Sequence, residues 1–291
     1  MQRSTPLFLP LLLAASLPVT AANLMLDFGN PAANSVVASP YLTLSPGHDA
    51  LAISGTETSW NTLTTSADRS NLVYADNSSA TGITVDLGQE ATGGDNIINF
   101  GTTVGQLTLA GTGGSVPGQQ SLLGTGSIYG DNTSSTAAGR DGFFGGGAAT
   151  TNGAAIGVRI DGLTAGDYRV YVMGRNTNTN TASSPMRIYS TVTTAGSTFD
   201  FSLATAMTQA NSGYASVGYA NQFNTFVNGE NFVAVDITVA SGSSFFLAVD
   251  GGNTAVDRRG FLNVIQVVSV PEPSTALLGA LGLLFLVRRR K

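Results

Sequence analysis

Across residues 23–270 large apolar side chains recur at nearly every second position, in runs too short and too often interrupted for helices. The stretch Phe232-Val233-Ala234-Val235-Asp236-Ile237-Thr238-Val239 is typical, setting apolar residues against smaller or polar ones as a strand with one face on a core requires. The helix formers Lys, Glu, Gln and Met are scarce in the same span, whereas clusters of Gly, Asn, Asp, Ser and Thr fill almost every gap, as turns demand. The pattern predicts strands at Leu24–Phe28, Tyr41–Leu44, Ala50–Ile53, Ile83–Leu87, Ile97–Phe100, Gln106–Ala110, Ala155–Ile160 and Tyr168–Gly174. Further strands are expected at Met186–Val192, Thr198–Leu203, Phe232–Val239, Phe245–Val249 and Phe261–Val268. Many short strands without an intervening helical period make an all-β sandwich or barrel. No fixed repeat is present, which argues against a stacked solenoid. The Gly-rich stretch from Gly111 to Thr151 reads as a long excursion over the sandwich surface.

Charge narrows the partners. Residues 23–270 hold eight Arg and no Lys against 17 Asp and Glu, a net of −9. A surface that acidic has no general means of neutralising phosphates, so a nucleic-acid partner is excluded. The 291 residues suffice for one large domain or two small ones, and such a domain buries enough surface to dispense with disulfides, in keeping with the absence of Cys.

Catalytic machinery is hard to find. His48 is the sole histidine, and no G-x-S-x-G elbow accompanies it. One His and no Cys cannot build a thiolate or poly-His zinc site. The single Lys is terminal, which removes the phosphate-cradling G-x-x-x-x-G-K-[ST] loop. Carboxylates are plentiful, so a glycosidase-type pair acting on polysaccharide stays open as the enzymatic alternative. Asp250, Asn253 and Asp257 place hard oxygens in a Gly-rich loop suited to calcium, although turn formation accounts for them equally well; no other cofactor is expected. For a ligand such as a sugar, Trp60 offers a flat aromatic face if it is not a core filler. Arg175 leads into an Asn/Thr run, and Tyr214 and Tyr219 lie among Asn, Gln and Ser.

The two ends read as addresses. Residues 1–22 combine Arg3, an apolar stretch from Leu7 to Leu17 and the small residues Val19-Thr20-Ala21-Ala22, the plan of a cleaved signal peptide; an uncleaved anchor is the alternative. At the other end Val270-Pro271-Glu272-Pro273-Ser274-Thr275 precedes the uncharged run Ala276 to Val287, and the chain ends in Arg288, Arg289, Arg290 and Lys291. Twelve apolar residues make a helix of roughly 18 Å, short for a membrane of about 30 Å unless flanking residues and snorkelling arginines help it to span. The basic cluster holds the tail on the cytoplasmic side, which puts the body outside. Prolines on both sides of Glu272 forbid a helix there and keep the stub extended. A plain tail anchor would share these features.

This three-part end resembles the PEP-CTERM sorting signal of proteins exported by Gram-negative bacteria. The resemblance implies recognition in the inner membrane by an exosortase, cleavage near Pro271 to Thr275, and delivery to the cell surface or the exopolysaccharide matrix. The body, through Ile160–Arg175, Phe245–Asp250 and Gly260–Val268, is similar to the closing strands of galactose-binding-like jelly-roll sandwiches, carbohydrate-binding modules among them. The expected plan is a signal peptide at 1–22, a jelly-roll-like β-sandwich at 23–269, and a sorting signal at 270–291 with a short transmembrane helix. The expected role is a non-catalytic carbohydrate-binding or structural component of the exopolysaccharide matrix.

Overall fold

A computed structural model describes residues 23–28, 47, 59–63, 68–90, 93–100, 108–110, 142–146, 153–174, 186–209, 227–229, 232–251 and 258–270. The body from Ala21 to Val270 is one compact unit. Its strands in chain order are β1 (Asn23–Phe28), β2 (Asn61–Leu63), β3 (Thr84–Glu90), β4 (Ile97–Asn99), β5 (Thr108–Ala110), β6 (Gly142–Phe144), β7 (Ile156–Asp161) and β8 (Gly166–Met173). They continue with β9 (Met186–Thr194), β10 (Thr198–Asp200), β11 (Thr205–Gln209), β12 (Val233–Val239), β13 (Ser243–Asp250), β14 (Phe261–Leu262) and β15 (Val264–Val270).

These strands form a β-sandwich. One sheet has the order β12-β8-β15-β1-β2 and the other β10-β4-β3-β7-β13-β9-β11, while β14-β6-β5 forms a small third sheet. The period-two pattern accounts for the layering. Leu24, Leu26 and Phe28 of β1, Val170 and Val172 of β8, and Ile265 and Val267 of β15 point inward from the first sheet. They meet Val85 and Leu87 of β3, Ile156, Val158 and Ile160 of β7, and Phe245, Leu247 and Val249 of β13 in one continuous core. Each such side chain, fully buried, contributes roughly 1.5–3 kcal/mol.

A second apolar cluster lies on the outer face of the larger sheet. Ile98, Phe100, Phe199 and Phe201 fold over Phe246 and Ala248, with the Phe100 and Phe246 rings edge to face at 5.7 Å. Gly88 and Gly157 stand opposite each other in adjacent strands beneath Ile98. A Cβ on Gly88 would stand 2.7 Å from Ile98 Cγ2, so this bare strip is what lets Ile98 seat.

The structure departs from the sequence reading in particular places. No strand was expected after Trp60, yet Asn61–Leu63 is a strand running parallel to β1, fixed by the Asn61 amide. That side chain donates to the Met25 and Val73 carbonyls and accepts from the Val73 N–H. The Gly-rich excursion is not wholly superficial, because Phe143 enters the main core. The expected strand Thr198–Leu203 stops at Asp200, whose carboxylate caps a 3-10 turn at Phe201–Leu203 by accepting from Ser202 N–H at 3.0 Å. The expected strand Phe261–Val268 is broken at Asn263. Tyr41–Leu44, Ala50–Ile53 and residues 1–22 lie outside the described residues.

Candidate functional site

The described chain enters and leaves the body at one place. β1 starts at Asn23, and Asn23 faces Val268 of β15 across an antiparallel pair. Opposed residues in such a pair stand about 4.5–5.5 Å apart. β15 lies between β8 and β1, the middle of its sheet, and continues to Val270 opposite Asp167. Pro271 lacks an N–H and cannot extend the ladder, so the strand stops where the proline begins. The surrounding turns are tight. Gly162 (φ 80°) and Gly242 (φ 77°) adopt backbone that other residues rarely take, and Gly162 packs so closely on the Gly82 carbonyl that no Cβ fits.

The opposite end of the sandwich carries several of the long connections. β1, β3, β8 and β13 finish there, and β7, β9, β12 and β15 begin there. The segments 29–58, 91–96, 145–155, 174–185, 210–231 and 251–260 all depart from these strand ends. Glu90 secures this end from within. It is 2% exposed, and its carboxylate accepts from the Asn96 N–H at 2.8 Å, the Gly94 N–H at 3.2 Å and the Ala155 N–H at 2.7 Å. Burial lifts the Glu90 carboxyl above its ordinary range, while these backbone bonds pull against the rise. Nearby, the Arg259 guanidinium lies over the Phe144 ring at 4.4 Å and the Phe261 ring at 5.3 Å, and those two rings stack at 5.2 Å.

The outer face of the larger sheet gathers charge. Arg159 of β7 contacts Asp86 of β3 at 3.0 Å and Asp161 at 3.0 Å, and its Nη1 donates to the Gly196 carbonyl at 2.7 Å. Asp161 also accepts from the Ser244 hydroxyl. Asp68 hydrogen-bonds to Asp86, and burial together with that neighbour pushes the Asp86 carboxyl up to about 7 despite Arg159. Sugar hydrolysis uses carboxyl groups about 5–9.5 Å apart, with room for a sugar or a water between them, and direct hydrogen bonding leaves no such room.

The sequence-derived site residues are scattered. Trp60 is 0% exposed and presents no face to a ligand, so it is corrected to a core side chain; its polar neighbours Ser59, Asn61 and Thr62 are buried with it. Asp250 ends β13 opposite Arg187. Asn253, Asp257, Arg175, Tyr214, Tyr219 and His48 lie outside the described residues. Among the described residues no group of three or more His, Cys, Asp or Glu is placed to hold a metal. Sequence reasoning missed Asp86 with Asp68, and it saw Glu90 only as one of many carboxylates.

Val270 is the last described residue of the sorting motif. Pro271, Glu272, Pro273, Ser274 and the basic residues Arg288, Arg289, Arg290 and Lys291 lie beyond it, as does the expected transmembrane helix. Among the described residues no helix is long and apolar enough to cross a membrane. Residues 269–291 match the PEP-CTERM protein-sorting motif. The motif marks an exported chain that is made as a membrane-anchored precursor and processed by an exosortase. No curated protein and no solved structure matches the chain.

Proposed function

We propose that this chain is a non-catalytic component of the extracellular exopolysaccharide matrix of a Gram-negative bacterium, carried there by its C-terminal signal and engaging polysaccharide through the end of the sandwich remote from that signal. The observation that carries the reading is the sorting motif at residues 269–291 joined to a sandwich with several long connections at the end away from Val270. The acidic body, at −9, agrees with a life outside the cell without nucleic acid. The loose likeness to galactose-binding-like sandwiches favours a sugar ligand, and the reading needs no cofactor.

Two measurements test it. Replacing Pro271-Glu272-Pro273 by Ala-Ala-Ala should leave a full-length, membrane-retained precursor, seen by immunoblot of membrane and extracellular fractions; unchanged processing would defeat the sorting half. Residues 23–270, with β15 whole, should be retained on polysaccharide purified from the matrix of the producing cells. No retention would remove the carbohydrate-binding half and leave an architectural role.

A further inference from the structure

The last strand leaves no slack before the signal. β15 pairs with β8 from Val264 to Val270 and with β1 from Val264 to Val268. Val264–Val268 are buried, and only at Ser269 and Val270 does the strand reach solvent. The matched motif begins at 269, so Ser269 and Val270 belong to the folded sheet and to the signal at once. Five residues, Pro271 to Thr275, separate Val270 from the uncharged run beginning at Ala276. Fully extended they reach at most about 18 Å. The headgroup region on one side of a bilayer takes up about 5–8 Å of that. What remains, roughly 10 Å, is the spacing between two stacked sheets and too little for an intervening domain.

Resting on the exosortase reading above, we infer that the folded body obstructs its own processing. The end built by Ser79–Ile83, Gly162–Gly166 and Ala240–Gly242 is held against the membrane and crowds the bond to be cut. The same sheet sets the upstream limit of the cut. A cleft that grips extended chain meets paired strand before Pro271, because drawing in Val270 and Ser269 breaks their pairing with β8, and drawing in more would strip β15 from β1 as well and uncover Val267, Gln266 and Ile265. The processed protein therefore keeps the sandwich closed and ends beyond Val270.

A spacer separates this inference from the reading beneath it. In cells that carry an exosortase, the full-length chain and a variant with Gly-Ser-Gly-Ser-Gly-Ser inserted between Val270 and Pro271 are pulse-labelled, and the released proteins are weighed. Loss of precursor should be severalfold faster with the spacer, and the native product should end beyond Val270. Equal or slower loss with the spacer overturns the obstruction, and a native product ending upstream of Val270 overturns the limit. The spacer variant carrying Ala-Ala-Ala at Pro271-Glu272-Pro273 should stay uncut. If that control is cut as fast as the spacer variant, or if neither parent chain is cut, the exosortase reading is what fails.

Discussion

At the scale of single residues, the buried acids decide how the body responds to pH. Asp86 titrates at about 7 in the folded chain against 3.8 for an ordinary aspartate, first because burial disfavours its charge and next because Asp68 adds a hydrogen bond and a like charge. Between those two values the folded state holds a proton that the unfolded state has lost. The contribution is therefore fully present below 3.8 and is lost as pH rises to about 7. Urea midpoints of residues 23–270 should fall across that window, and Asp86→Asn should flatten the fall; an unchanged slope in the variant would contradict the assignment. Glu90 makes a different case, because both its oxygens are committed to backbone donors. Glu90→Gln turns an NH2 toward at least one of those N–H groups and should cost about 1–3 kcal/mol in a denaturant titration. Neither role was legible in the sequence. An Asp or Glu in a strand looks alike whether it faces water or a half-buried arginine, and the partner Asp68 comes from a segment that only the fold brings alongside.

Secondary-structure elements were far more legible, for a physical reason. Strands such as β7, β8, β12 and β13 carry their own alternation, and their inward residues are the core. Strands that depend on a neighbour were not legible. β2 is three residues long and exists because Asn61 pins it between Met25 and Val73. β6 is hidden in a Gly-rich run and declares itself only by burying Phe143. The glycines Gly88 and Gly157, by contrast, look like weak points of two strands and are instead the floor on which Ile98 rests. Gly157→Ala should destabilise the body by about 1–3 kcal/mol through overpacking. Adding Ile98→Ala, which vacates the same space, should recover part of that loss in a double-mutant cycle; strictly additive losses would show that the two sites do not share it.

The whole molecule is organised by where its ends lie. Sequence alone placed the body, not its addresses, on the outer side of a membrane, because Arg3 at one end and the cluster Arg288 to Lys291 at the other stay on the cytoplasmic side. Nothing in it hinted that β1 and β15 would be partners, since strand order is settled by pairing between residues 237 to 245 positions apart. The pairing makes the sandwich incomplete until Val264–Val270 is in place, and several long connections lie at the end of the sheets away from Val270. The most direct test of this account is the intact mass of the protein recovered outside the cells that make it. The account predicts a chain that starts at Ala22 or Asn23, retains Val270 and lacks Arg288 to Lys291; an extracellular protein that still ends in Lys291 would contradict it.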